Sequence, residues 1–135
     1  MLFRKTTDKH SQIVSFEIIT LRTSGMRYTG ETEILMKDGK AEVSQYAIMF
    51  SQDEDRRKLE KRAICDEQTM LKLLNDCKLL SWDGFKGPHP KGVLDGTIFS
   101  LNAVVNGNVK IYASGSENFP KHYRDFTDGL CKILQ

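Results

Sequence analysis

The sequence lacks long hydrophobic runs, a paired set of cysteines and any strong excess of one charge. Its longest apolar stretches, such as 47–50, fall far short of the about 20 residues that a membrane-spanning helix needs. The amino terminus has no apolar core of a secretory signal. Cys65, Cys77 and Cys131 are odd in number and widely spaced, which suits neither a disulfide framework nor a CxxC pair. These absences predict a cytoplasmic protein with reduced thiols and no membrane partner.

The charge balance and the histidines argue against further classes of protein. Lys and Arg together number 20 and Asp and Glu 18, so the net charge is only +2. Nucleic-acid-binding domains usually gather many more basic groups on one face, so this balance argues against a nucleic-acid partner. His10, His89 and His122 are scattered and form no pair at the spacing typical of metal ligands. We predict no metal and no cofactor.

Chain length and the absence of linkers favour a single domain over residues 1–135. A chain of 135 residues has the commonest domain size. It contains neither an internal repeat nor a stretch rich in Pro, Gly and Ser that would divide it. Residues 1–10 are polar and are expected to be frayed.

Alternating side chains predict three strands in the first half of the chain, at 12–21, 28–36 and 42–50. In the first strand, Val14, Phe16 and Ile18 are expected on one face. Asp38-Gly39 separates the second strand from the third, and this pair favours the two-residue turn of a hairpin. The second and third strands should therefore be antiparallel neighbours.

The charged segment 52–62 allows two interpretations, because it carries four acidic and five basic residues. One is a hairpin tip followed by a short edge strand at 58–64, in which the charges would protect the edge from association. The other is a solvated helix in which Asp53 and Arg57, and Glu54 and Lys58, form pairs at the i to i+4 spacing.

Two helices and a second hairpin complete the predicted fold. Asp66 is placed to cap a helix that ends near Leu79, and Pro120 suits the first turn of a final helix. An irregular loop at 82–96 holds four of the ten glycines and two of the three prolines. Strands at 97–105 and 109–114 follow it, joined by Asn106-Gly107. The order β-β-β-(β)-α-β-β-α predicts an α+β fold, with an antiparallel sheet of five or six strands and both helices on one face.

The carboxy-terminal half carries a characteristic arrangement of turns. Asp95-Gly96-Thr97 precedes Phe99 and Leu101, and after Asn106-Gly107 comes the run 115–120, of sequence GSENFP. This arrangement resembles small uncharacterised bacterial proteins with DG[TS]x[WF]xL, a strand hairpin, and GxNx[FY]P opening a final helix. Here Phe99 stands where Trp is commoner, and two residues rather than one separate Gly115 from Asn118. The resemblance covers roughly the last 40 residues. It implies a bacterial α+β protein and no known activity.

The loop 82–96 is the candidate ligand site. Lys86, Lys91 and a protonated His89 could hold an anion there, with Asp83 or Asp95 assisting. The loop lacks the GxxxxGK[ST] spacing of a phosphate loop and does not lead from a strand into a helix. Both Asp-Gly pairs are also ordinary turn signals. The alternative interpretation is a surface connection whose Pro and Gly residues fix its path.

No catalytic residue is predicted. Cys77 lies on the apolar stripe of the first predicted helix, where a thiol is ordinarily a small core residue. Cys65 lies just before that helix, and its pKa should be lowered if it is exposed, because the helix dipole favours a thiolate. No neighbouring base can be identified for it, and no serine lies in a GxSxG elbow.

Aromatic residues and sheet edges favour a binding role. Trp82 is expected in the core, whereas Phe85 could anchor a protein partner. An open sheet has two edges, and the one without protecting charges could pair with a second copy of the chain or a bound strand. We predict a non-catalytic cytoplasmic domain that binds a protein partner. One alternative is a small enzyme or anion-binding protein that uses the 82–96 loop. Another is single-stranded nucleic acid lying on the sheet near Tyr46 and Tyr112.

Overall fold

The computed structural model describes residues 12–25, 28–50, 55–92 and 96–135, so Asp95 lies outside the described residues. Within these ranges the chain forms seven strands and two helices, with a short 3₁₀ helix at Leu79–Trp82. The strands are β1 (Phe16–Ser24), β2 (Thr29–Lys37), β3 (Lys40–Phe50), β4 (Asp55–Asp66), β5 (Lys86–Gly87), β6 (Ile98–Val105) and β7 (Val109–Ser116). The helices are α1 (Glu67–Asp76) and α2 (Tyr123–Leu134).

The strands form one sheet in the order β4-β3-β2-β1-β6-β7-β5. Every neighbouring pair is antiparallel except β5 and β7, which run parallel. The predicted α+β fold with an antiparallel sheet is confirmed, but the sheet has seven strands rather than five or six. The additional strand is β5, which lies within the loop 82–96 and is only two residues long.

Both predicted hairpin turns are present. Asp38 and Gly39 have φ angles of 54° and 78°, and Asn106 and Gly107 have 50° and 86°. Positive φ at both positions characterises the turn whose twist matches the flanking strands. Asp38-Gly39 forms a two-residue loop between the paired residues Lys37 and Lys40. The second loop has one residue more, because Asn108 follows Asn106-Gly107 before Val109 pairs with Val105.

The predicted face of the first strand is wrong. The pairing of β1 with β6 shifts between Phe16 and Ile18, so Glu17 is an extra residue in a β-bulge. Because the bulge resets the alternation, Phe16 lies in the core with Ile19 and Leu21. Ile18 therefore lies on the opposite face of the sheet, where it pairs with Leu35.

The charged segment is a strand, and the helical interpretation is wrong. β4 pairs with β3 along its whole length, with a register shift that makes Glu60 an extra residue opposite Gln45 and Tyr46. The strand is longer than predicted, and its carboxy-terminal part alternates, with Cys65 packed towards the core and Ile64 exposed. Pairing with the β3 edge thus outweighs the local charge pattern that suits a helix. Residues 52–54 lie outside the described part.

Both helices pack on the same face of the sheet. Met70 and Leu74 of α1 and Phe126 and Leu130 of α2 join a single core with the inward side chains of the strands. α1 ends at Asp76, earlier than predicted, because Lys78 adopts a left-handed conformation with φ 55°. α2 begins at Tyr123 rather than at Pro120. In the described residues, neither helix is long and apolar enough to cross a membrane.

Trp82 lies in the core, as expected. Its side chain is almost fully buried, and its indole N–H donates to the carbonyl of Cys77 at 3.2 Å. The ring of Phe126 contacts it edge to face, with 5.6 Å between the ring centroids. The 3₁₀ helix that ends at Trp82 therefore anchors the start of the 82–96 loop to the core.

Candidate functional site

The first residues of the 82–96 loop close one edge of the sheet. The Asp83 carboxylate accepts a hydrogen bond from the Tyr112 N–H at 2.9 Å. The Gly84 N–H donates to the Tyr112 carbonyl at 2.9 Å, and the Ser114 N–H donates to the Phe85 carbonyl at 3.0 Å. The Asp83 carboxylate therefore takes the place of a backbone acceptor at this edge. This role agrees with the interpretation of Asp83-Gly84 as a turn.

The three cationic candidates in this loop occupy different settings. Lys86 is exposed and belongs to β5, where it pairs with Ser114. His89 Nδ1 shares a hydrogen bond of 2.7 Å with the Ser116 hydroxyl. Lys91 is exposed. A contact with β7 thus engages His89.

Phe85 is only partly available to a partner. It is half-buried, and its ring packs on the core residue Phe99 with 6.2 Å between the ring centroids. The exposed remainder of the ring could contact a protein, but the side chain also contributes to the fold.

The loop and the segment before α2 pack tightly at Asn118. Asn118 Nδ2 donates to the Pro88 carbonyl at 3.1 Å. A Cβ atom at Gly87 or at Gly115 would overlap Asn118. The two glycines are therefore needed for this close packing, and β5 can pair with β7 only because they lack side chains.

A groove of about 530 Å³ opens beside the start of α2, at a place that the sequence did not indicate. Its lining includes aromatic and charged side chains, among them Phe119, Tyr123 and Arg124. Glu117 accepts a hydrogen bond from the Thr97 N–H. The only signal in the sequence was the run 115–120, which predicted the start of a helix. Lys86, His89 and Lys91 are not part of the lining.

Two of the three thiols have raised pKa values. Cys65 is partly buried, so the exposure on which the predicted lowering depended is not met. Burial raises the pKa of Cys65, and the neighbouring Asp66 carboxylate raises it further. Burial raises the pKa of Cys77 to about 11, with smaller contributions from Asp125 and Asp76. Cys131 is a free, exposed thiol. Within the described ranges, no group of three or more His, Cys, Asp and Glu side chains is arranged to hold a metal ion.

The other edge of the sheet is β4, and its peptide groups point outward at alternate residues. The turn at Asp38-Gly39 makes Lys37 and Lys40 a hydrogen-bonded pair. Along each strand from this pair, the peptide groups of successive residues point alternately towards one neighbouring strand and towards the other. Residues of β3 that bond to β4 include Val43, whose partner is Ala63. The alternation directs outward the peptide groups of Arg57, Leu59, Arg62 and Ile64.

The same alternation can be checked at the opposite edge. The registers of β1 with β2, β1 with β6 and β6 with β7 extend the alternation across the sheet. They place the peptide groups of Tyr112 and Ser114 on the outer side of β7. Those are the groups that Asp83, Gly84 and Phe85 bond. One edge of the sheet is thus closed by the chain itself, whereas no described residue pairs with the outer side of β4.

Two arginines of β4 fold over the sheet face that the helices leave open. Arg57 contacts the Glu31 carboxylate at 2.9 Å and the Glu33 carboxylate at 3.5 Å, and its guanidinium carbon lies 4.0 Å from the centre of the Tyr46 ring. Arg62 donates to the Ser44 hydroxyl at 2.9 Å and lies 3.9 Å from Glu42.

These contacts bear on the nucleic-acid alternative. Burial alone would lower the pKa of Arg57, but the hydrogen bond to Glu31 and the nearby Glu33 outweigh burial and raise it. Tyr46 is buried beneath Arg57, so its ring face cannot stack on a base. Arg57 and Arg62 are already engaged with the carboxylates Glu31, Glu33 and Glu42, which argues against this alternative.

Two lysines of β4 remain without a partner among the described residues. Arg56–Arg62 are all exposed. Lys58 and Lys61 lie opposite Ala47 and Gln45 and so share the face on which the helices pack. The edge therefore combines outward peptide groups, exposed Leu59 and Ile64, and two unneutralised cations.

Comparison with models of protein families gives no match, and comparison with curated proteins finds none that is similar.

Proposed function

We propose that this chain is a non-catalytic interaction domain that binds an extended segment of a protein partner by strand addition to β4. The observation that carries the proposal is the difference between the two sheet edges. The chain itself bonds the outward peptide groups of Tyr112 and Ser114 on β7, whereas those of β4 have no described partner. In strand addition, such peptide groups provide the affinity and the alternate side chains provide the specificity.

The dimensions of β4 suit this role. The strand has 12 residues and spans about 40 Å, which is long for an outer strand. Its pairing with β3 is continuous apart from the single bulge. An added segment would therefore meet a rigid template and would lose little further entropy in ordering β4 itself.

A second copy of the chain fits this edge poorly. Five of the seven residues Arg56–Arg62 are basic and one is acidic, so pairing two β4 strands would bring like charges together. The bulge also disturbs regular pairing of identical strands. The charges that protect the edge from self-association thus leave it available to a different partner.

Proline at Ile64 is the direct test. The peptide group of Ile64 points outward, so Ile64→Pro removes one donor from the free edge and leaves the bonds to β3 in place. Ile64→Thr keeps the donor and serves as the matched control. We expect an array of extended peptides of about ten residues to contain binders of the wild type and Ile64→Thr proteins. Ile64→Pro should not bind them.

The amide NMR signals of the bound protein locate the contact. We expect binding to shift the signals of β4 and to protect its outward amides from hydrogen exchange. An array without binders, binding that survives in folded Ile64→Pro, or shifts confined to another region would each contradict strand addition.

The groove beside α2 supports a second candidate function, the binding of a small anion. Arg124 lines the groove, and its guanidinium has no partner in the described part of the chain. The volume of the groove is within the range of small-molecule sites. A ligand at about a hundred times its dissociation constant adds about 2.7 kcal/mol to the stability of the folded state. A rise in melting temperature with phosphate or a sugar phosphate, lost in Arg124→Ala, would support this site. Loss in Lys86→Ala/Lys91→Ala instead would favour the 82–96 loop.

The proposed setting is the bacterial cytoplasm. The resemblance of the carboxy-terminal half supports a bacterial source, and the three free cysteines support a reducing compartment.

A further inference from the structure

We infer that the segment which adds to β4 alternates acidic and apolar residues, with its acidic side chains on the face where α1 and α2 pack. This inference rests on the proposed strand addition and specifies the chemistry of the partner. It follows from the different side chains that β4 presents on its two faces.

The acidic half of the pattern follows from Lys58 and Lys61. Arg57 and Arg62 already contact the carboxylates Glu31, Glu33 and Glu42 on the open face. The two lysines lie on the other face and are exposed, with no partner among the described residues. Opposite charges on directly paired residues stabilise a sheet, and like charges destabilise it.

The apolar half of the pattern follows from Leu59 and Ile64, which share the open face. Their side chains are 44% and 61% exposed. Apolar residues of an added strand would cover them and remove that surface from water. Since successive side chains of a strand alternate between faces, the two requirements fall on alternate positions of the same segment.

The test compares three labelled peptides of about ten residues. One alternates Glu and Val, one alternates Lys and Val, and the third has the Glu and Val residues in two separate blocks. Fluorescence anisotropy gives their affinities for the wild-type protein. We expect the alternating Glu peptide to bind at least about tenfold more tightly than the other two, and raising the salt concentration to weaken its binding.

Charge reversal identifies the residues responsible. Lys58→Glu/Lys61→Glu should reverse the preference, so that the Lys peptide binds more tightly than the Glu peptide. Lys121→Glu/Lys132→Glu makes the same change in net charge on exposed residues of α2 and the turn before it. This control should keep the preference of the wild type, whereas an effect of net charge alone would change the preference equally in both variants.

The outcomes separate this inference from the proposed function. Equal affinity for the Glu and Lys peptides, with both lost in Ile64→Pro, would contradict the acidic pattern and leave strand addition standing. Binding of the Glu peptide that needs both lysines but survives in Ile64→Pro would contradict strand addition. Equal binding of the block and alternating Glu peptides would contradict the predicted alternation of acidic and apolar residues.

Discussion

Asp83 shows how one side chain can close a sheet edge. Its carboxylate accepts the Tyr112 N–H at 2.9 Å, where a further strand would otherwise place a backbone carbonyl. This position was predicted as a turn residue or an assisting acid in a ligand site. The sequence could not distinguish these roles, because the N–H that Asp83 meets lies 29 residues later in the chain.

Replacing this carboxylate should weaken the fold and reopen the edge. Asp83→Ala leaves the Tyr112 N–H without its acceptor, and the free energy of unfolding should fall by about 1 to 2 kcal/mol. Urea denaturation measures the change, and hydrogen exchange of the Tyr112 amide should become faster. Asp128→Ala is the matched control, because Asp128 is an exposed carboxylate with no partner in the described chain. Equal stability of the two variants would contradict the structural role of Asp83.

Among the elements, those with local signals were predicted best. The hairpin turns at Asp38-Gly39 and Asn106-Gly107 specify their own φ angles, so the sequence alone places them. The bulge at Glu17 has no such signal, because it depends on the pairing of β1 with β6, which is distant in sequence. β4 was ambiguous for the same reason. Its charges suit a helix, and it forms a strand because it pairs with the edge of β3.

The candidate site divides in the same way. The sequence pointed to the 82–96 loop because Gly, Pro, Lys and His are visible there without any knowledge of the fold. It also recognised the charged run as edge decoration. From this it followed that the other edge could accept a second copy or a bound strand, but Asp83, Gly84 and Phe85 bond the outward peptide groups of Tyr112 and Ser114 there. The sequence could not show this, since the difference between the edges exists only in the assembled sheet.

The ion pairs of β4 tie this strand to β2 across β3. Arg57 is 42% exposed, but the Glu31 and Glu33 side chains that it contacts are only 13% and 16% exposed. Removing the arginine would leave two mostly buried carboxylates with less compensation, which costs more than losing a fully exposed pair. Arg57 also covers Tyr46.

We therefore expect Arg57→Leu to lower the free energy of unfolding by about 1 to 2 kcal/mol. Glu31→Gln in the same chain should recover part of this loss, because it removes one of the two carboxylates that lose their contact with Arg57. A double-mutant cycle from urea denaturation measures the coupling. Additive effects of the two substitutions would show that the contact between Arg57 and Glu31 contributes nothing to stability.

At the scale of the whole molecule, burial of titratable groups in the single core should make the protein less stable at alkaline pH. Burial raises the pKa of Cys77 to about 11 and that of Tyr123 to about 12, from ordinary values of 9.0 and 10.0. Between the ordinary and raised values, the folded protein retains protons that the unfolded chain has lost. The stabilisation is complete below about pH 9 and is lost as the pH rises through the folded values. Over this range, the buried Cys77 thiol lowers the free energy of unfolding by at most about 1.4 kcal/mol per pH unit, and the partly exposed Tyr123 hydroxyl lowers it by less.

Urea denaturation at several pH values between about 7.5 and 11 tests this dependence. We expect the stability of the wild-type protein to fall above about pH 9, and to fall less steeply in Cys77→Ala/Tyr123→Phe, which removes both titrating groups. The double variant should be less stable at neutral pH, because it loses packing in the core, so the comparison is between slopes and not absolute values. Parallel slopes would mean that neither group titrates differently in the folded and unfolded states. In that case the Cys77 thiol and the Tyr123 hydroxyl would have to be open to solvent. The packing of α2 against the 3₁₀ helix would then be looser than the structure shows, because Trp82 contacts the rings of Tyr123 and Phe126 there.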